Sequence, residues 1–174
     1  MLTVAPTFDG KRTIPSQRIT ALMSECLQLT AKDKLLEIGT GSGFQTAEWA
    51  KSGCEVHSIE LEPWVDPTAV KGDAIYLHAG NGMKGLPDEA PFTAIVATCG
   101  VSEIPDAWER QLAEGGILLV PVGDATNQRL IAYRKQNGEL RPERVICICK
   151  FQMLRDRSTP KEMKPRYALD SQTN

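Results

Sequence analysis

The sequence predicts an α/β protein with a doubly wound, mostly parallel sheet that ends in an antiparallel hairpin. Three observations predict this fold class. Short apolar segments of strand length alternate with segments whose apolar residues recur every three or four positions, as in one-faced helices. A glycine-rich turn, GTGSG at residues 39–43, separates the first of these strands from the following helix. Near the end of the chain, two strand-like segments follow one another with an Asn137-Gly138 turn between them.

The elements of the first half follow from local patterns. Residues 1–12 show no periodicity and are predicted to be irregular. The apolar residues from Ile19 to Leu29 recur at helical steps, and Pro15 suits the first turn of such a helix. Gly53 closes the second helix, and Glu60 ends the second strand. The predicted elements are helix Pro15–Leu29, strand Lys34–Ile38, helix Gln45–Ser52, strand Glu55–Ile59 and strand Ile75–Ala79.

The second half continues the alternation and then departs from it. The predicted elements are strand Ala94–Thr98, helix Pro105–Leu112, strand Ile117–Val120, and strands Arg129–Arg134 and Val145–Phe151. The Gly115-Gly116 pair is predicted to stop the helix. Because the last two strands have no helix between them, they are predicted to form a hairpin at one sheet edge, in an order that the pattern leaves open. Residues 1–154 are predicted to form one domain, and the polar residues 155–174 a flexible tail.

The composition excludes several classes of protein. A chain of 174 residues is long enough for one well-filled core and too short for two ordinary domains. Its formal net charge of −2 gives no global attraction to nucleic acid or to an acidic membrane, although a local basic patch leaves nucleic acid open as a partner. The sequence shows neither a signal peptide nor an apolar run of membrane-spanning length. The five cysteines form no Cys-x-x-Cys pair, so we expect reduced thiols, no metal site and a cytoplasmic location. The oligomeric state is not predicted, and a monomer is assumed.

The glycine turn is the main candidate for a binding site. In a doubly wound sheet, ligands bind beyond the carboxyl ends of the strands. Glycines at positions 39, 41 and 43 allow close approach of a ligand to the backbone, and Glu60 can accept the hydroxyl hydrogens of a ribose. Three interpretations fit: a site for S-adenosyl-L-methionine, a site for a dinucleotide, or a turn with no ligand. The G-x-G-x-G spacing lacks the third glycine of the dinucleotide fingerprint, which favours S-adenosyl-L-methionine.

Longer stretches of the sequence resemble one family of enzymes. They are TIPSQRITALM (13–23), LLEIGTGSGFQTA (35–47), SIE (58–60), AGNGMKG (79–85), EIPDAWERQLAEGGILLVPVG (103–123) and KFQML (150–154). In this order they resemble protein-L-isoaspartate O-methyltransferases, and the long block at 103–123 is the most specific. The resemblance implies a Rossmann-like methyltransferase fold and S-adenosyl-L-methionine as the cofactor. It also implies a protein or peptide substrate whose carboxylate receives the methyl group.

The resemblance also assigns roles to individual residues. The cofactor-binding residues that it implies are Glu37, Gly39, Thr40, Gly41, Gly43, Glu60, Leu61, Gly80, Asn81 and Gly82. Among them, Glu37 and the glycines of the turn would line the methionine end, Glu60 would hold the ribose, and residues 80–82 would flank the adenine. The family usually has Asp where Asn81 stands. Carboxyl methylation needs no general base, because a carboxylate is already ionised near neutral pH. The candidate catalytic residues are therefore two hydroxyls that align the acceptor, Ser16 and Thr98.

The acceptor half of the site departs from the family pattern. Pro15 stands where the family usually has a serine, with Ser16 one place along, and fewer residues precede this motif than in the family. The segment after Glu60 contains Pro63 and Pro67, so the usual crossover helix is expected to be short or absent. Three functions stay open: isoaspartyl methylation, the same fold acting on a small molecule or nucleic acid, and a non-catalytic remnant that binds cofactor or a partner. We expect cofactor binding to be better preserved than isoaspartyl methylation.

Overall fold

Strands and helices alternate along the chain in the computed structural model, which describes residues 5–7, 13–14, 16–61, 70, 72 and 74–155. The first elements are β1 (Ala5–Thr7), β2 (Thr13–Ile14), α1 (Gln17–Leu27), β3 (Lys34–Ile38), α2 (Phe44–Ala50), β4 (Glu55–Glu60) and β5 (Ile75–Ala79). Two short 3₁₀ turns follow, at Gly82–Lys84 and Pro87–Glu89. The remaining elements are β6 (Phe92–Ala97), α3 (Asp106–Gln111), β7 (Leu112–Gly123), β8 (Gln128–Gln136) and β9 (Glu139–Cys149).

Seven of the strands form one sheet in the order β5-β4-β3-β6-β7-β8-β9. The first five strands in this order run parallel to one another. Strand β8 is antiparallel to β7, and β9 is antiparallel to β8. The predicted doubly wound sheet with a final antiparallel hairpin is therefore confirmed, and β9 lies at the edge. Strand order reverses between β3 and β6, which is where a doubly wound sheet opens a ligand crevice.

Two apolar clusters cover the two faces of this sheet. Helices α1 and α2 pack on one face, where Met23 and Trp49 contact the side of β3 that carries Leu35. Helix α3 packs on the other face through Trp108, on the side that carries Leu36. Successive strand residues point to opposite faces, so a strand buried on both faces is apolar at nearly every position. This is why the short apolar runs of the sequence predicted the central strands.

The start of β7 corrects one sequence prediction. The Gly115-Gly116 pair does not stop α3, because α3 ends at Gln111 and β7 already begins at Leu112. Leu112 has extended backbone angles and pairs with Phe92 of β6, so strand pairing ends the helix before the glycines are reached. The two glycines lie within the strand instead.

Other boundaries also differ from the predictions. Strands β8 and β9 are longer than expected, because β8 begins at the buried polar residue Gln128 and both strands include polar residues beside the turn that carry no apolar alternation, while β9 ends at Cys149 and not at Phe151. The turn between them has positive φ at Asn137 and Gly138, as the predicted hairpin turn requires. Strand β1 lies in the segment predicted to be irregular and pairs with β2. Pro15, Pro63, Pro67 and residues 156–174 lie outside the described residues, so what the sequence indicates about the acceptor serine, the crossover helix and the tail stays a prediction.

Candidate functional site

A cleft opens at the carboxyl ends of β3, β4 and β6. Its walls come from the glycine turn, the end of β4, Gly82, the end of β6 and residues 152–155. Of the residues predicted to bind the cofactor, the cleft is lined by Gly39, Thr40, Gly41, Glu60, Leu61 and Gly82. The candidate catalytic residue Thr98 also lies on its wall. The structure thus brings most of the residues predicted for the site together in one cleft.

The glycine turn is braced against the end of β6. Gly39 has a φ of +99°, and a Cβ at this position would lie 2.6 Å from Oγ1 of Thr98. The Thr98 hydroxyl donates to the carbonyl oxygen of Gly39 at 2.5 Å and lies 3.1 Å from that of Ile38. Only glycine fits this approach without displacing the threonine. Thr98 therefore positions the turn, and its hydroxyl hydrogen already has acceptors within the protein.

The carboxylate of Glu60 is oriented by two backbone donors. Its Oε2 accepts from the N–H of Gly41 at 3.0 Å, and its Oε1 accepts from the N–H of Leu61 at 2.9 Å. Each carboxylate oxygen has a second lone pair, so both oxygens keep the capacity to accept from a ligand hydroxyl. Glu60 thus ties the glycine turn to the end of β4 and presents a fixed acceptor to the cleft.

Glu37 lies beneath the glycine turn and is fully buried. Its Oε2 accepts hydrogen bonds from the hydroxyls of Thr46 at 2.5 Å and Ser58 at 2.6 Å. The Ser58 hydroxyl also lies 2.6 Å from that of Thr40, which lines the cleft. The structure therefore places Glu37 behind the cleft wall, connected to it through two hydroxyls. Gly43, the last glycine of the turn, is the N-cap of α2 and donates its N–H to Thr40.

The segment predicted to flank adenine lies against β3. Gly80 donates its N–H to the carbonyl of Glu60, and the side chain of Asn81 accepts from the N–H of Met83 at 2.9 Å. A Cβ on Gly82 would lie 2.7 Å from a methyl carbon of Ile38, so this segment passes very close to β3. This close approach places residues 80–82 next to the glycine turn.

Ser16, the other candidate catalytic residue, lies at the start of α1. Its hydroxyl accepts from the N–H of Ile19 at 3.4 Å and caps the helix. The residues that line the cleft do not include Ser16. The structure thus brings Thr98 to the site and shows a capping contact for Ser16. The catalytic role of each residue stays a prediction.

One wall of the cleft was missed by the sequence prediction. It is the segment that follows β9, residues 151–155, which we call the strap. The N–H of Gly100 donates to Gln152, and the N–H of Leu154 donates to Gly100, each at 2.8 Å. The buried side chain of Gln128 accepts from the N–H of Phe151 at 2.7 Å and donates to its carbonyl at 3.0 Å. Only the KFQML stretch of the family resemblance pointed to this segment.

We expect the change Gln128→Leu to lower the free energy of unfolding by about 1–3 kcal/mol, because it leaves the buried N–H and carbonyl of Phe151 without partners. Urea denaturation measures the loss. The matched control is Gln136→Leu at the exposed end of the same strand, which should change stability by less than about 0.5 kcal/mol. Equal effects of the two changes would contradict the role of Gln128 as the clamp of the strap.

Comparison with known proteins identifies the family. Residues 3–158 match the family described as protein-L-isoaspartate(D-aspartate) O-methyltransferase. The chain belongs to this family. A Trichlorobacter lovleyi protein named protein-L-isoaspartate O-methyltransferase is 42% identical over 151 residues, which cover 81% of this chain and 68% of the relative. Protein-L-isoaspartate O-methyltransferase 1 of Syntrophobacter fumaroxidans is 44% identical over 130 residues, covering 71% of this chain and 61% of the relative.

Solved structures of the same family share the fold. One named protein-L-isoaspartate O-methyltransferase superposes with a TM-score of 0.72 at 26% identity, covering 87% of this chain and 51% of that structure. A Plasmodium falciparum protein assigned the same activity, in complex with S-adenosyl-L-homocysteine, gives a TM-score of 0.71 at 23% identity over 89% of this chain and 81% of that one. The chain therefore spans about half to two thirds of the length of several of these family members.

These comparisons confirm the predicted family, the predicted fold class and the prediction of a methyltransferase. S-adenosyl-L-homocysteine, which the Plasmodium structure contains, is the demethylated form of the predicted cofactor, S-adenosyl-L-methionine. In the part of the chain that the structure describes, no helix is long and apolar enough to cross a membrane. Within the same described residues, no group of three or more metal-ligating side chains is placed to hold a metal ion.

Proposed function

We propose that this protein binds S-adenosyl-L-methionine in the cleft and transfers its methyl group to a carboxylate of an isoaspartyl residue in a protein or peptide. The observation that carries the proposal is the carboxylate of Glu60. In a member of a methyltransferase family, it ends β4 beside the glycine turn and is fixed by the N–H groups of Gly41 and Leu61.

The residues present fit this cofactor. Gly39 and Gly82 let their segments pack closely against Thr98 and Ile38, whereas a Cβ on Gly41, which lines the cleft, would meet nothing within 4 Å, so a ligand could approach the backbone there. Glu60 would accept the ribose hydroxyls, with Leu61 beside it, and residues 80–82 would lie along the adenine. Thr40, Gly41 and Gly43 would surround the methionine end, and Glu37 would act from behind the wall through Ser58 and Thr40.

The bound cofactor supplies a methyl group on a positively charged sulfonium sulfur, which a carboxylate oxygen can attack directly. The protein's task is to hold the two groups in line and to keep water out. The Thr98 hydroxyl holds the turn that carries Gly39, so it would position the bound cofactor relative to the acceptor. The apolar residues Phe44, Met153 and Leu154 also line the cleft, where they would help to keep water from the reacting atoms. No side chain is required to remove a proton, since the acceptor is already ionised.

The rest of the proposal concerns the methyl acceptor, the cellular location and the oligomeric state. A protein or peptide acceptor is favoured by the names of the relatives. A small molecule or nucleic acid is the alternative acceptor, and a non-catalytic remnant is the alternative to an enzyme. We place the protein in the cytoplasm, because all five of its cysteines are free thiols. A monomer is assumed.

We expect transfer of labelled methyl from S-adenosyl-L-methionine to an isoaspartyl peptide and none to the same peptide with a normal aspartyl residue. Scintillation counting of the isolated peptide measures the transfer. Cofactor binding without transfer to either peptide would contradict the isoaspartyl acceptor and favour one of the alternatives.

The variant Ser16→Ala separates a hydroxyl at the acceptor from a helix cap. Loss of the cap alone should lower the stability by roughly 1 kcal/mol and leave transfer by the folded variant unchanged. A loss of transfer by the folded variant would therefore assign the acceptor role to Ser16.

A further inference from the structure

Glu37 combines complete burial with an unsatisfied carboxylate oxygen. Both of its hydrogen bonds, from Thr46 and Ser58, reach the same oxygen, Oε2. The other oxygen, Oε1, is buried and has no hydrogen-bond partner among the described residues. In the described part of the chain, no lysine, arginine or histidine pairs with this carboxyl group. A carboxylate in such a place has no cation to balance its charge, which is costly in a buried site.

The titratable groups near Glu37 lie on the cleft wall. Among the described residues, the titratable groups that interact with it are the carboxyl of Glu60 and the thiol of Cys99, and both line the cleft. Its hydrogen-bonded neighbours Thr46 and Ser58 are uncharged, and Ser58 leads to Thr40 on the wall. A charge placed in the cleft therefore acts on Glu37 across one layer of hydroxyl groups and little water.

This environment holds the proton on Glu37 near neutral pH. Burial raises the pKa of Glu37 to about 8, and the nearby charge of Glu60 adds to the rise, while the hydrogen bonds from Ser58 and Thr46 oppose it. A cation in the cleft lowers the pKa of a carboxyl group nearby, because it stabilises the ionised form. The protonation state of Glu37 thus depends on the charge of whatever occupies the cleft.

We propose that Glu37 distinguishes the cofactor, whose sulfur is positively charged, from its product, whose sulfur is neutral, by ionising when the sulfonium is bound and taking up a proton after methyl transfer. This inference rests on the proposed function. In the transfer, an acceptor oxygen forms a bond to the methyl carbon, and the electrons of the carbon–sulfur bond stay on sulfur. The sulfonium cation and the acceptor anion both disappear. Glu37 then takes a proton from the solvent, so the site holding the product carries no uncompensated buried charge.

The pH dependence of binding follows from linkage. Below about pH 8 the free protein carries a proton on Glu37, and binding of the cation releases it. The affinity for S-adenosyl-L-methionine therefore rises as the pH increases toward 8 and levels off above it. S-adenosyl-L-homocysteine carries the same ammonium and carboxylate groups but no charge on sulfur, so its affinity should rise less with pH. If one pKa unit of coupling joins the sulfonium to Glu37, the preference for cofactor over product should increase about sixfold between pH 6.5 and pH 8.5.

Isothermal titration calorimetry with both ligands at the two pH values tests this inference. The matched variant is Glu37→Gln, which keeps the size of the side chain and removes its titration. Between the two pH values, we expect the preference for cofactor over product to rise about sixfold more in the wild type than in Glu37→Gln, since titration of the ligands themselves is common to both proteins. In buffers of different ionisation enthalpy, the wild type alone should show proton release on binding of S-adenosyl-L-methionine. That measurement remains informative if the variant does not fold.

The outcomes separate this inference from the proposed function. If both ligands bind the wild type with no proton release by the cofactor, or with the pH dependence seen in Glu37→Gln, the role of Glu37 is wrong and the proposed function stands. If neither ligand binds the folded wild type, the proposed function fails and the inference fails with it. A further variant, Ser58→Ala, removes a hydrogen bond to the ionised form, so it should move the wild-type pH profile to higher pH.

Discussion

Replacement of Trp108 by alanine is expected to lower the free energy of unfolding by about 3–5 kcal/mol. Trp108 is completely buried and has the largest of the fully buried side chains. It packs α3 onto the sheet face that carries Leu36 and Ile95, and its removal would leave a large cavity there. Its indole N–H also donates to the carbonyl of Gly82 at 2.8 Å, so the same residue ties α3 to the wall of the cleft.

Urea denaturation of three variants separates the packing contribution from that hydrogen bond. Trp108→Phe keeps much of the packing and leaves the carbonyl of Gly82 without its donor, which should lower the stability by about 1–3 kcal/mol. Trp49 provides a matched control, because it is also buried but its indole N–H has no partner among the described residues. Trp49→Phe should therefore cost less than Trp108→Phe. A loss below 1 kcal/mol in Trp108→Ala would show that α3 contributes little to the core.

The central strands were predictable because their burial is visible in the local sequence. Lys34–Ile38 has the predicted bounds, and Glu55–Glu60 is longer by one residue. The edge strand Ile75–Ala79 also has the predicted bounds, although Tyr76 and Leu77 are exposed. The start of β7 was not predictable in this way. Trp108 and Leu112 are four positions apart and share a helical face, so the local pattern favoured a helix as far as Leu112. The pairing of Leu112 with Phe92, twenty positions earlier, decides the outcome, and a local pattern carries no trace of it.

The same distinction applies to the site. The glycine turn and Glu60 were found because each lies directly after a strand, and the carboxyl ends of neighbouring parallel strands meet at one edge of the sheet. The strap was missed because it reaches the cleft through Gly100 and Gln128, which are distant in the sequence. The acid in the strand, Glu37, was predicted to line the cofactor. The sequence could not show that its partners would be Thr46 and Ser58, on two other elements.

The last prediction concerns the ribose contact. We expect Glu60→Ala to weaken binding of S-adenosyl-L-methionine by about ten- to a hundredfold, because a charge-assisted hydrogen bond typically contributes about 1.5–3 kcal/mol. Calorimetric titration of the folded variant measures the change. The matched control is Glu103→Ala, which removes an exposed carboxylate away from the cleft wall and should leave the affinity unchanged. Unchanged affinity in Glu60→Ala would remove Glu60 from the site.

Glu60 also fixes the turn through the N–H of Gly41, so a loss of affinity alone does not show contact with the ribose. A double-mutant cycle separates the two effects, with a cofactor analogue that lacks the ribose hydroxyls as the second change. If the carboxylate accepts those hydroxyls, the analogue should bind the wild type about ten- to a hundredfold more weakly than the cofactor does, and the two ligands should bind Glu60→Ala nearly equally. If Glu60 acts only through the turn, the variant should weaken both ligands by the same factor, because the shape of the turn matters to each of them.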